Sequence, residues 1–185
     1  MLQPLPLTCH PATPCTLLEG IVSTCSRAPG PRLTLTFALS GEVGRLRMPS
    51  PAAGRRTDGL WRHSCFEAFV RGAGADAYHE FNVAPSGDWA AYRFDQYRQG
   101  MRAADCAAPA IVTRAGDRWL EVHVTLDLAD MAELARNAPW TVALAAVIEA
   151  DDGARSYWAL AHPPGRPDFH HAAGFACTLL PESSP

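Results

Sequence analysis

Residues whose types could bind a polar ligand are concentrated between positions 58 and 101. This stretch reads DGLWRHSCFEAFVRGAGADAYHEFNVAPSGDWAAYRFDQYRQGM and holds two tryptophans, three tyrosines, two glutamates and one asparagine. Aromatic rings offer flat apolar surfaces, while carboxylates and amides form hydrogen bonds with hydroxyl groups. The composition therefore predicts a site for a polar, ring-shaped ligand such as a sugar.

Three predicted β-strands, at about 60–71, 77–84 and 89–97, must position these residues. Side chains alternate between the two faces of a strand, so neighbouring residues divide into two sets. One set is apolar and predicts a core face: Phe66, Ala68, Val70, Phe81 and Val83. The other set predicts an outward face or a groove: Glu67, Tyr78, Glu80 and Asn82.

Several aromatic and acidic residues could complete this site. Trp61 or Trp89 could supply the flat surface, although packing of both in the core or at a sheet edge is the competing interpretation. Glu149 ends an alternating apolar strand, a position from which a carboxylate often points into a cleft. Tyr157, Trp158 and His162 are candidates for a second wall, but alternation places Trp158 and His162 on one side and Tyr157 on the other, so not all three can contribute.

The rest of the chain has the same rhythm of short apolar or alternating runs separated by Gly, Pro and Asp. This rhythm predicts an all-β sandwich or barrel. One segment departs from it: Asp127 could begin a short helix that carries Leu128, Met131, Leu134 and Ala135 on one face before Pro139 ends it. We expect a single domain over 1–185, with its core at about 20–180 and a tail at 181–185.

Composition limits the classes of function. The net charge of −3, with 48% apolar and 19% charged residues, is typical of a soluble globular protein and disfavours a nucleic-acid surface. No window has the ~18 apolar residues of a membrane span, and the N-terminus does not resemble a secretory signal. Six scattered cysteines without a CxxC pair favour free thiols in a reducing cytoplasm. Oligomeric state stays open.

The order of several sequence blocks resembles a known family. DGLWRHSCFEAFV, YHEFN-x-x-PSG-x-WAAYRFD-x-YR-x-GM, VIE, SYWAL-x-HP and PDFH together are similar to the bacterial DOMON-like domains, which are related in fold to the family 9 carbohydrate-binding modules. The resemblance implies an immunoglobulin-like jelly-roll β-sandwich of about ten strands that binds a sugar or a haem. The positions that match the family blocks are Trp61, Glu67, Tyr78, Glu80, Asn82, Trp89 and Tyr92.

Two other functions compete with non-catalytic saccharide binding. Haem needs axial ligands such as His and Met, which the chain contains, but it has no CxxCH attachment motif, and we expect no cofactor. A glycosidase needs two carboxyls ~5–10 Å apart, a spacing that Glu67 and Glu80 on adjacent strands could satisfy. Asp168 and His170 offer too few ligands for a metal site. Because no catalytic motif accompanies these residues, we predict a small-ligand binding module.

Overall fold

The computed structural model describes residues 3–28, 30–50 and 53–181, which form twelve β-strands. In chain order they are β1 (Leu5–Cys9), β2 (Leu18–Ala28), β3 (Arg32–Gly41), β4 (Cys65–Gly72), β5 (Tyr78–Val83), β6 (Trp89–Phe94), β7 (Arg102–Ala103), β8 (Ala110–Gly116), β9 (Trp119–Asp127), β10 (Trp140–Glu149), β11 (Arg155–Ala159) and β12 (Cys177–Leu179). The predicted all-β class is confirmed, with two strands more than the ten expected.

The strands form one curled sheet in two halves that meet at β1. Sheet A contains β1, β2, β3, β9 and β8 in that order, and sheet B contains β11, β10, β4, β5, β6 and β7, with β12 also pairing with β10. In β1, Leu5 to Leu7 pair with β2, whereas Thr8 and Cys9 pair with β11. The first strand of the chain therefore belongs to both halves.

Side chains from both sheets meet in one large apolar core. Phe37 of β3 and Phe66 of β4 place their rings 4.9 Å apart across it. Every residue predicted for the core face of the central strands is buried there: Phe66, Ala68, Val70, Phe81 and Val83. The alternation of apolar and polar residues thus sorted the two faces of β4 and β5 correctly.

The predicted helix after Asp127 is wrong. Residues 128–139 form consecutive turns, in which the Met131 N–H donates to Leu128 O at 3.1 Å and the Leu134 N–H donates to Met131 O at 2.9 Å. Because these turns repeat every three residues, Leu128, Met131 and Leu134 are all buried without an α-helix. The helical segments in the described residues are three single-turn 3-10 helices: Val43–Arg45, Leu60–Arg62 and Ala172–Gly174.

The outer face of sheet B, away from the main core, carries a second apolar cluster. Phe69, Tyr78, Phe94 and neighbouring alanines form it, and the loop at 160–176 crosses it with Phe169 and Phe175 packed against it. Sheet B is therefore covered on both faces. Across the described part of the chain, no helix has the length and apolarity needed to cross a bilayer. Residues 182–185 of the predicted tail lie outside the described residues.

Candidate functional site

A cavity of about 550 Å³ opens on the outer face of sheet B. Two buried carboxyls, Glu67 and Glu80, lie on its floor. Its walls are mainly aromatic (Trp61, Phe94, Tyr157 and Phe169), and three arginines lie at its mouth (Arg62, Arg98 and Arg155). The cavity thus combines hydrogen-bonding groups at depth with flat apolar surfaces around them, the usual composition of a small-molecule site.

Strand register places the two floor carboxyls beside the fully buried Asn82, which does not itself line the cavity. Glu67 of β4 lies directly opposite Asn82 of β5. Glu80 precedes Asn82 by two residues on β5, so its side chain lies on the same face of the sheet. On the other side of Glu67, β10 presents Ala145, whose small side chain leaves space above the sheet. Two adjacent strands therefore place two carboxyls and one amide on a single patch, as the alternation pattern predicted.

The floor carboxyls are buried without full hydrogen bonding. Glu67 Oε1 and Asn82 Oδ1 are buried and have no hydrogen-bond partner, while Asn82 Nδ2 donates to Glu80 Oε1 at 2.7 Å. Burial, and then the charge of Glu80, raise the pKa of Glu67 well above its ordinary value. Burial also raises the pKa of Glu80 to about 7, against the opposing effects of Asn82 and Arg98. The pair therefore retains a proton at neutral pH.

His170 separates this cavity from a second one of about 500 Å³, which Tyr78 lines. The Tyr78 hydroxyl lies 2.8 Å from His170 Nδ1, and His170 Nε2 lies 3.7 Å from Glu80 Oε2. Burial, together with the charge of Arg98, lowers the pKa of His170 to about 4. The imidazole is therefore neutral at pH 7, and its contact with Glu80 is not an ion pair at that pH.

Arg98 connects two loops above the cavity. It has φ = 53°, the one positive φ of a non-glycine residue in the described part of the chain. The Arg98 N–H donates to the Tyr78 hydroxyl at 3.2 Å, and its guanidinium donates to Asp168 Oδ1 at 2.7 and 3.2 Å. The Tyr97 hydroxyl donates to the same carboxylate. We call Tyr97, Arg98 and Asp168 the Asp168 latch, which ties residues 95–101 to the loop at 160–176.

Trp61 lies at the cavity wall because of a short turn before β4. Gly59 has φ = 79°, a conformation that favours glycine, and the Arg62 N–H donates to Gly59 O at 3.1 Å to close the turn. The Trp61 ring contacts Tyr92 edge to face at 5.9 Å and remains 37% exposed. The Tyr92 hydroxyl donates to Asp58 at 2.6 Å, so Tyr92 supports this turn from below.

Three other predicted ligand-binding residues lie away from the cavity. Trp89 and Trp158 are buried in the main core on the opposite face, where Arg56 lies 4.6 Å above the Trp89 ring and Trp158 Nε1 donates to Ser156 at 3.0 Å. Glu149 accepts from Arg47 at 2.8 Å and lies 2.7 Å from His63 Nδ1. We therefore exclude these three residues from the candidate site.

Arg98 and Phe169 line the cavity but were not predicted from the sequence, and Tyr157 was predicted only as an alternative to Trp158. Tyr157 pairs with Val147 across β10 and β11, and strand alternation had already separated Tyr157 from Trp158. Choosing Tyr157 required knowing which face of β11 opens to the cavity. Arg98 and Phe169 lie in loops, where no periodicity reports the direction of a side chain. Asp168, considered above as a metal ligand, is engaged by the latch.

Known proteins share this fold but not this sequence. No protein-family profile matches the chain, and no curated protein shows a significant sequence match. A “putative carbohydrate-binding protein” from Bacteroides uniformis ATCC 8492 superimposes with a TM-score of 0.73 at 15% identity, covering 96% of this chain and 85% of that one.

A family 9 carbohydrate-binding module from Caldicellulosiruptor kristjanssonii also superimposes. Its complex with cellotriose gives a TM-score of 0.59 at 9% identity, over 98% of this chain and 84% of that one. Its complex with glucose gives a TM-score of 0.53 at 10% identity, over 94% and 81%. At these identities the likeness concerns the fold alone: the chain has the all-β fold of these carbohydrate-binding proteins.

Proposed function

We propose that this protein is a non-catalytic module on a jelly-roll β-sandwich that binds a saccharide in the cavity of sheet B. The unpartnered Glu67 carboxyl, buried beside Asn82 and Glu80 under aromatic walls, carries the proposal. A buried polar group without a partner is costly unless a ligand supplies the missing hydrogen bond. Sugar hydroxyls would supply it, while Trp61 and Tyr157 would cover the apolar ring faces.

The structural neighbours support this choice of ligand class. The family 9 modules of similar fold were determined with cellotriose and with glucose. Because identity to them is low, the present proposal depends on this chain's own cavity, whose volume of about 550 Å³ would enclose a small sugar.

Two neighbouring carboxyls also occur in glycosidases of the common kind, which use them as an acid and a base or nucleophile. We propose binding rather than hydrolysis because the solved proteins of similar fold are carbohydrate-binding proteins and because no catalytic sequence motif accompanies Glu67 and Glu80.

Calorimetric titration with glucose and cellotriose tests the proposal. We expect binding to wild type and a loss of about tenfold or more in affinity for Trp61→Ala, which removes an aromatic wall. Trp119→Ala is the matched control, since Trp119 is 44% exposed on β9 of sheet A and should bind as wild type does. Absence of heat and of any change in tryptophan fluorescence across a panel of neutral, acidic and amino sugars would reject a saccharide site.

One observation favours haem as a second candidate ligand. Met101 and His170 both line the cavity, and this pair of residue types serves as axial ligands in electron-transfer haem proteins. The buried Glu67 and Glu80 carboxyls oppose this assignment, because they would face an apolar porphyrin surface. Adding haem to the purified protein decides between a saccharide and haem as the ligand. A Soret band that is lost in Met101→Ala and His170→Ala would favour haem.

A further inference from the structure

We propose that the cavity prefers an amino sugar, whose ammonium group binds between Glu67 and Glu80. This inference rests on the proposed saccharide function and specifies its ligand further. It follows from three features of the site: the number of open acceptors on the floor, the burial of two acids side by side, and the separation of these acids from the arginines at the mouth.

The floor presents acceptors in excess of donors. Of the two carboxyls that line it, Glu67 has a buried Oε1 without a partner, and Glu80 Oε2 lies 3.7 Å from His170 Nε2, beyond hydrogen-bond distance. An ammonium group carries three N–H donors, whereas a hydroxyl carries one. Glu67 and Glu80 are diagonal neighbours on adjacent strands, a spacing of roughly 7 Å between Cβ atoms, so both side chains can reach one group between them.

Charge points to the same ligand chemistry. Two buried carboxyls on neighbouring strands cannot both ionise without a nearby cation, because burial and mutual repulsion oppose it. A neutral sugar does not reduce the repulsion between two ionised carboxyls, so the pair keeps a proton when such a sugar is bound. An ammonium group allows both carboxyls to ionise and forms charge-assisted hydrogen bonds with them, which are about twice as strong as neutral ones.

The cavity arginines do not fill this role. Arg98 donates to Asp168 at 2.7 Å, and its charge lowers the pKa of Glu67 and Glu80 by less than burial raises it. Arg62 and Arg155 are exposed at the mouth, where water and salt screen their charge. In the part of the chain that the structure describes, no hydrogen bond or ion pair joins these three guanidinium groups to Glu67 or Glu80. The aromatic rings of Trp61 and Tyr157 would further stabilise a cation beside them.

Titration of the intact protein at pH 7 with glucosamine, glucose and N-acetylglucosamine tests the inference. Glucose replaces the ammonium with a hydroxyl, and N-acetylglucosamine keeps the nitrogen but removes its charge. We expect glucosamine to bind about tenfold or more tightly than either neutral sugar. Glu67→Gln and Glu80→Gln should each abolish most of that preference, measured as the ratio of glucosamine affinity to glucose affinity within the same variant. Glu121→Gln, at a partly exposed position on sheet A, is the control.

The outcomes separate the inference from the function on which it rests. Equal affinities for glucose and glucosamine would overturn the inference and keep the saccharide site. Absence of binding by all three sugars would overturn both. A glucosamine preference that survives in the two glutamine variants would also overturn the inference, since the charge would then act elsewhere. Thermal unfolding of each variant checks that it is folded, and glutamine is close in size to glutamate.

Discussion

The two faces of β4 and β5 lie one residue apart in sequence and differ completely in chemistry. Phe66, Val70 and Phe81 point into the main core and are closely packed. Glu67 and Glu80 point the other way and are similarly buried; Glu67 Oε1 lacks a hydrogen-bond partner, and Glu80 accepts one hydrogen bond, from Asn82. The first face contributes to stability. The second costs stability, so its polar residues indicate a function that packing alone does not explain.

Truncating a side chain on the core face should change the free energy of unfolding more than any other substitution predicted below. A small change would contradict the difference between the two faces of β4 and β5. Phe66 is 1% exposed and contacts Phe37, so Phe66→Ala should lower the free energy of unfolding by about 3–5 kcal/mol. Urea denaturation measures this loss. Val112→Ala, at a half-exposed position of β8, should cost about 0.5 kcal/mol or less. A similar small cost at Phe66 would contradict the assignment of this face to the core.

Removing a carboxyl from the polar face should raise the free energy of unfolding at alkaline pH instead of lowering it. Because the pKa of Glu80 is raised to about 7 in the folded protein, the folded state loses stability as pH rises from the ordinary glutamate value of 4.5 towards 7. Glu80→Gln should therefore match wild type near pH 4 and exceed it by about 1–3 kcal/mol at pH 8. Urea denaturation of both proteins across this range gives the difference directly. A variant that is less stable than wild type at pH 8 would show that the ionised carboxyl is compensated.

The smallest effect should come from the Asp168 latch above the polar face. The side chain of Arg98 is 50% exposed, so solvent weakens its pairing with Asp168. Asp168→Asn should cost about 1 kcal/mol or less in global stability and should increase amide hydrogen exchange within residues 160–176. Asp151→Asn, which weakens an exposed pair with Arg45 elsewhere, is the control and should leave that exchange unchanged. Unchanged exchange in Asp168→Asn would show that other contacts hold the loop.

Sequence periodicity correctly predicted which side chains share a face of a strand. It did not predict the conformation of loops and turns. Alternation assigned Phe66 and Glu67 to opposite faces, because a pleated strand leaves no other arrangement. It also suggested a helix from Leu128, Met131 and Leu134, since a spacing of three residues suits consecutive turns as well as a helix. In the structure these residues form consecutive turns, each closed by a hydrogen bond between residues three positions apart.

The aromatic part of the site shows the same limit. Residue type made Trp61, Trp89 and Trp158 equal candidates, yet only Trp61 lines the cavity, because a turn before β4 carries it there. Trp89 and Trp158 lie on strands whose inward face became clear only with the full sheet order. Arg98 and Phe169 enter from loops that are distant in sequence, and no local pattern marks them.

The position of β1 has a consequence for the time course of folding. Its first residues can pair with β2 soon after they are made, but Thr8 pairs with Ala159, near the other end of the chain. Among the strands that the structure describes, β1 is thus the first in sequence and among the last to be fully paired. Such long-range closure gives the chain a high contact order, which places its folding among the slow all-β proteins, in the range of roughly milliseconds to seconds.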